Sequence, residues 1–182
     1  MTEISVVDYD PDWPRIFESL RAAIWEVVAD IAISIEHIGS TAVPGLAAKP
    51  VIDIDVVVPQ SEISVGIERL SSLGYAYRGG LGVPQREAFR RPPGSPPHHL
   101  YLCPPSSPAL ANHLAIRDYL RANPEEAHAY GELKKRLALE FAHDRDGYVE
   151  AKTGFLVAIL RRVGFSGDAL AGIERINRRR EG

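Results

Sequence analysis

EHIGSTAVPGLAAKPVIDIDVVV, residues 36–58, is the stretch on which the fold turns. Its second half reads as a strand over residues 51–58, rich in Val51, Ile52, Ile54, Val56, Val57 and Val58, yet Asp53 and Asp55 interrupt it. Side chains alternate along a strand, so the two aspartates share a face with Val51 and Val57. Ile52, Ile54, Val56 and Val58 point the other way and form a wholly apolar face that helices must cover. Two like charges held close together repel each other, and burial makes that repulsion worse. One reading is that a divalent cation compensates them, since hard cations take carboxylate oxygens and magnesium in particular binds through one or two carboxylates plus substrate phosphates. The other is a sheet face open to water, as antiparallel sheets often have.

Just upstream, residues 33–38 predict another strand, ended by Gly39-Ser40-Thr41. A glycine lets backbone come close to a ligand. If a helix starts here, Ser40 and the following amides form an anion site; otherwise the segment is an ordinary turn with a cap. Further out, Ile16, Phe17, Leu20, Ile24, Val27 and Val28, with Pro14 near the start, predict a helix over residues 12–29. Ser61 is expected to cap a helix that ends at Gly74. Short strands are expected at 75–79, 85–91 and 98–103, the last two separated by a proline-rich turn at 92–97.

From Ser107 onward the strand signal stops. Ser107-Pro108 and Asn123-Pro124 predict helices to about Ala122 and His143, because proline at a helix start lacks only an amide hydrogen that had no partner there. Residues 148–163 and 167–178 predict two more. The pattern is α+β: a mixed or mainly antiparallel sheet over residues 1–105, then a helical extension, residues 106–182, packed on it as one unit.

The 182 residues suit one domain of this kind, and 45% apolar composition supplies an ordinary core. A net charge of -3 gives no electrostatic case for nucleic acid. The basic run Arg178-Arg179-Arg180 is expected to be a solvated tail. A single cysteine, Cys103, allows neither an intrachain disulfide nor a zinc motif. The opening MTEISVVDYDPDW has no basic-then-apolar pattern, and no apolar run approaches the roughly 20 residues of a membrane helix. The expectation is a soluble, cytoplasmic protein with no membrane partner.

A strand, Gly39-Ser40, a short turn and a strand with Asp-x-Asp together resemble the nucleotidyltransferase superfamily that includes polymerase-beta-like enzymes. The closer resemblance is to the GrpB family, through EHIGSTAVPGLAAKPVIDIDVVV, IRDYLRANPEEAHAYGELKKRLA and YVEAKTGFL, covering the chain from Tyr9 to about Ile159. The resemblance implies a nucleotidyltransferase-like mixed sheet of about five strands with packing helices. It implies that Gly39, Ser40 and Thr41 grip nucleotide phosphates, while Asp53 and Asp55 act as catalytic acids and hold Mg2+ or Mn2+. Lys49, in the matching AAKP, would meet a phosphate. Arg117, Lys134 and Lys152 would surround a triphosphate if the helices close over the sheet; each is otherwise an ordinary surface charge or helix-holding ion pair.

The superfamily's third acid has no evident counterpart. Glu87, in REAFRR, is one candidate, with Arg86, Ala88 and Arg90 facing away from it. The other position is HHLYL, where the family often has His-x-His and this chain has His99-Leu100-Tyr101. His99 is suited to metal ligation or acid/base work near neutral pH, while Tyr101 breaks a two-histidine site. The family also occurs fused behind dephospho-coenzyme A kinase. The functional expectation is Mg2+-dependent transfer of AMP from ATP to a small-molecule acceptor, including activation of a carboxylate for amide formation. The alternative is a non-catalytic nucleotide or coenzyme A-related binding module.

Overall fold

Alternation along residues 51–58 leaves one apolar side that needs a cover, and two helices supply it. In the computed structural model, which describes residues 3–178, the strands are Ser34–Ile38 (β1), Ile52–Val57 (β2), Ala76–Tyr77 (β3), Glu87–Arg90 (β4) and His98–Cys103 (β5). They form one mixed sheet ordered β1-β2-β5-β4-β3, with β2 and β5 parallel and the other neighbours antiparallel. Ile52, Ile54, Val56 and Val58 are buried against Trp13–Val28 (α1) and Ile63–Ser72 (α2), with Phe17, Ile24, Val28, Leu70 and Leu102 in the same cluster. Each such side chain contributes about 1.5–3 kcal/mol on burial. Gly66 sets the closeness of α2, because a Cβ there would lie 2.8 Å from the Leu102 side chain.

The opposite, aspartate-bearing face is roofed by Pro108–Ala122 (α3), Pro124–Glu140 (α4) and Arg145–Arg162 (α5), followed by Gly167–Asn177 (α6). A second cluster, Val43, Leu46, Leu120, Ala127, Tyr130 and Ile159, ties these helices to the segment after the Gly-Ser turn. Ser107 caps α3 by accepting from the Leu110 amide, with Pro108 in the first turn.

Four local expectations need correction. Ser61 caps nothing: it lies in a 3-10 turn, Gln60–Glu62, and α2 begins after it with no side-chain cap. β3 shrinks to two residues at the sheet edge. α4 ends at Glu140 rather than His143. α5 begins before Tyr148, at Arg145, because Asp144 accepts from the Gly147 amide at 3.0 Å and starts the helix early. Of the terminal basic run, Arg179 and Arg180 lie outside the described residues. Among the described residues no helix is long and apolar enough to cross a membrane.

Candidate functional site

β1 delivers the chain into Gly39, whose φ of 72° and ψ of -172° belong to a region essentially reserved for glycine. A Cβ at Gly39 would fall 2.3 Å from Asp53 Oδ2. The bare backbone is what lets the Asp53 carboxylate lie against the turn. Ser40–Ala42 then forms a single 3-10 turn rather than the start of a longer helix, so no helix dipole serves this site. Thr41 is buried and braces the turn: His37 Nε2 lies 3.0 Å from its Oγ1, and its hydroxyl donates to the Val51 carbonyl at 3.4 Å.

His37 itself stacks on Phe17 at 4.5 Å. Burial first, then the nearby Arg121 cation, lowers its pKa to about 4. The neutral ring therefore belongs to the fold, while the unfolded chain takes up a proton near pH 6.5. The stability this supplies is complete above pH 6.5 and is lost as pH falls through about 4. Replacing His37 with Gln keeps a donor for Thr41 and removes the titration. Between pH 7 and pH 4.5, wild type is expected to lose about 2–3 kcal/mol more than His37→Gln in urea unfolding. Parallel curves for the two proteins across that range would refute the assignment.

The strand register arranges the candidate acids in two rows on one face. Ile38, Asp53 and His99 form one row; Glu36, Asp55, Tyr101 and Ala88 form the other. Asp53 stays partly open, with 28% of its side chain exposed, and His99 Nδ1 sits 2.8 Å from its Oδ1. Asp55 is 1% exposed, and His113 Nδ1 on α3 sits 2.8 Å from its Oδ2. Asp55 Oδ1 is buried with no partner. The face at Asp55 is thus covered by α3, not open to water.

Two expected site residues are placed elsewhere. Glu87 pairs with Leu102 in the register, on the core side of the sheet, and accepts from the Tyr77 hydroxyl at 2.6 Å. Arg117 donates to Glu36 Oε2 at 2.9 Å, to Asp118 at 2.7 Å and to the His37 carbonyl at 3.2 Å. It holds α3 to β1 and does not line the cavity beside Asp53. Glu36, not Glu87, is the further carboxylate on the aspartate face, and Arg117 neutralises it.

The remaining cations do converge. A cavity of about 490 Å³ is walled by Ser40, Thr41, Asp53 and His99 on one side and Lys49, Lys134, Arg145 and Lys152 on the other. A smaller one of about 210 Å³ shares Ser40, Asp53 and Lys152 and extends to Gly39, Tyr101 and His113. Lys134 is buried and donates to Ser40 Oγ at 2.7 Å, over the Tyr130 ring. Burial, with Lys152 adding to it, pushes its pKa well below the usual lysine range. Burial, and then Lys49, lowers Lys152 to about 8. Lys49, over the Tyr148 ring, is lowered by burial and by Arg145. Asp53 is the acid that opposes all three lysines. Cations so crowded lack an anion. Among the described residues, no three His, Cys, Asp or Glu side chains converge as a self-sufficient metal site, so any ion here would draw further ligands from a bound molecule.

Sequence reasoning missed Glu36, Arg86, His113 and Arg145. A signal existed for Arg145: with Tyr148, Val149 and Lys152 it forms an i, i+3, i+4, i+7 face on α5, hidden by starting that helix at Tyr148. His113 offered none, since its partner lies 58 residues away in the chain.

A Gly-Ser turn pressed against a strand with paired aspartates, on this mixed five-stranded sheet, defines a nucleotidyltransferase-like fold. The Cid1 poly(U) polymerase, in its MgGTP-bound crystal structure, superposes with a TM-score of 0.51 over 85% of this chain and 51% of that one, at 15% identity, a likeness of fold alone. The chain belongs to the GrpB family, whose profile, described as GrpB protein, matches residues 3–162. The crystal structure of conserved protein GrpB from Enterococcus faecalis is 34% identical with a TM-score of 0.78, covering 92% of this chain and 98% of that one. UPF0157 protein PA4798 of Pseudomonas aeruginosa is 36% identical over 166 residues, 87% of this chain and 67% of the relative. UPF0157 protein YqkA of Bacillus subtilis is 33% identical over 151 residues, 82% of this chain but 44% of the relative, so the match spans less than half of that protein.

Proposed function

We propose that this protein transfers AMP from ATP to a small-molecule acceptor, with Mg2+ or Mn2+ held by Asp53 and Asp55. The observation that carries this is one cavity with the Asp53 carboxylate on one wall and Lys49, Lys134, Arg145 and Lys152 on the other, meeting at Ser40. A polyphosphate accompanied by a divalent cation neutralises both walls at once. The residues fit such an ion: Asp55 keeps one buried oxygen without a partner, and carboxylates are the hard donors it prefers. When bound, the ion supplies positive charge to the phosphate oxygens and lowers the pKa of an acceptor group.

The chain's own residues do the rest by position and charge, the dominant effects in phosphoryl chemistry. Gly39 and Ser40 let phosphate approach the backbone, with Thr41 bracing the turn. Lys134 and Lys152 bind the phosphates from the helical side and Lys49 from the loop. His99 orients Asp53. Glu87 and Arg117 take no part. The sheet half, residues 1–105, and the helical half, residues 106–182, act as one unit because both supply residues to the one cavity. The described GTP complex of Cid1 lends support to a nucleotide triphosphate in this cavity. Cid1 is a poly(U) polymerase; here the net charge of -3 argues against a nucleic-acid acceptor. A cytoplasmic setting suits the single cysteine, Cys103, buried in the sheet.

A nucleotide or coenzyme A-related binding module is the second reading, favoured by Tyr101 beside Asp55 where a third acid could stand. Incubation with ATP, magnesium and a pool of acids and alcohols separates the two. Pyrophosphate release that drops about 100-fold or more in Asp53→Asn is the expected result. Tight ATP binding without pyrophosphate for any acceptor identifies the module instead.

A further inference from the structure

A groove of about 430 Å³ lies on the other side of His113, walled mainly by Val83, Pro108, Phe165, Ala169, Ile173 and Ile176. That size is within the range of small-molecule sites. Arg86 is the one Lys, Arg, Asp or Glu side chain among its lining residues. Its guanidinium carbon sits 4.3 Å from the centre of the Tyr101 ring, and its Nε is buried without a partner. Asn112 Oδ1, in the same wall, is also buried and unpartnered. Buried polar atoms are normally satisfied, and two that lack partners, both in side chains that line one apolar groove, mark the end of it at which a polar head belongs. His113 lines this groove and also the cavity that contains Asp53 and Tyr101, while its Nδ1 touches Asp55. The polar end of the groove is therefore one side chain away from the aspartates.

We infer that this groove is the acceptor site and that the acceptor is a monocarboxylic acid with an apolar body, an assignment that rests on the nucleotidyl-transfer reading. Arg86 selects the charge: its guanidinium donates to a carboxylate oxygen, and its cation repels an ammonium. The Asn112 amide, turned over, offers an N–H to the same head. The apolar walls take the hydrocarbon. A carboxylate also suits the acids present. Glu87 lies on the other side of the sheet, bonded to Tyr77, and Glu36 is held by Arg117, so neither is placed to take a proton from an acceptor, and a carboxylate has none to give. Its oxygen attacks the α-phosphorus of ATP, the new O–P bond forms, and the bond from the α-phosphorus to the bridging oxygen breaks. Pyrophosphate leaves with the electron pair. The product is an acyl-adenylate, which a later amine-consuming step would turn into an amide.

The test needs no turnover. Octanoate and octylammonium are titrated into the intact chain without nucleotide or metal, followed by calorimetry and protein NMR shifts. Octanoate is expected to bind about tenfold or more tightly than octylammonium, with Arg86→Gln abolishing the preference. Gly172→Trp is expected to weaken octanoate by about tenfold or more by filling the groove. A Cβ at Gly172 meets nothing within 4 Å, and replacing glycine inside a helix favours folding, so this variant keeps the groove wall intact. Octanoate binding no tighter than octylammonium, or unaltered by Gly172→Trp, overturns the assignment. A parallel titration with ATP and magnesium separates the two layers. Octanoate binding without nucleotide binding sinks nucleotidyl transfer and leaves a carboxylate site; nucleotide binding with no octanoate effect does the reverse.

Discussion

Gly39→Ala is expected to destabilise the chain by about 3–5 kcal/mol and to disrupt the nucleotide site in the same stroke. Two separate causes add. The backbone at φ 72° and ψ -172° is strained for any residue with a Cβ, which accounts for about 1–3 kcal/mol. The added methyl would also lie 2.3 Å from Asp53 Oδ2, a distance that atoms do not hold, and a tight 3.0 Å from its Cγ. Asp53 must swing away or the turn must open, and in either case the His99 contact and the approach to Ser40 are lost. Urea unfolding measures the first effect and ATP titration the second. The causes are separable: in an Asp53→Ala background the clash with the carboxylate is gone, and Gly39→Ala should cost only the backbone part plus a tight 3.1 Å contact with the Cβ of residue 53. An equal loss in both backgrounds would show that Asp53 does not lean on this glycine.

The same contact shows why part of the site was legible in the sequence and part was not. Asp53 and Asp55 announce themselves because alternation along one strand is a local property, and the apolar partners Ile52, Ile54, Val56 and Val58 confirm the parity. Glu87 could not be placed that way. Its face depends on the register of β4 against β5, where a one-residue slip exchanges the two sides; the observed pairing with Leu102 turns Glu87 to the core and brings its neighbour Arg86 over Tyr101. Arg117 and Lys134 looked alike as helix cations. What separates them is a partner distant in the chain: Glu36 captures Arg117, whereas Lys134 bonds the uncharged hydroxyl of Ser40, lies over the Tyr130 ring and is left lining the cavity. Local pattern gave elements and faces; pairing across the chain decided which charges are spent on structure and which stay available to a ligand.

Lys134→Met turns that distinction into a measurement with opposite signs. The wild-type residue is 2% exposed, and its ammonium is pressed by Lys152 and has Asp53 as its opposing charge. Its lowered pKa means that the folded chain holds this proton less tightly than the unfolded one, so the charge opposes folding at neutral pH. Methionine matches the stem and removes the charge. The variant is expected to be more stable than wild type by about 1–3 kcal/mol at pH 7, after loss of the Ser40 hydrogen bond. As pH rises toward 10.5, the unfolded lysine gives up its proton too, and the advantage should shrink; a Tm series from pH 7 to 10 reads this directly. Affinity for ATP with magnesium should meanwhile fall about 10- to 100-fold, because the lost cation is one that a phosphate would have satisfied. A variant less stable than wild type throughout the pH series would mean that Lys134 is a structural strut, and unchanged ATP affinity would remove it from the phosphate site. Gain in stability together with loss of binding is the signature of a residue kept at a cost to the fold for the sake of an anionic ligand.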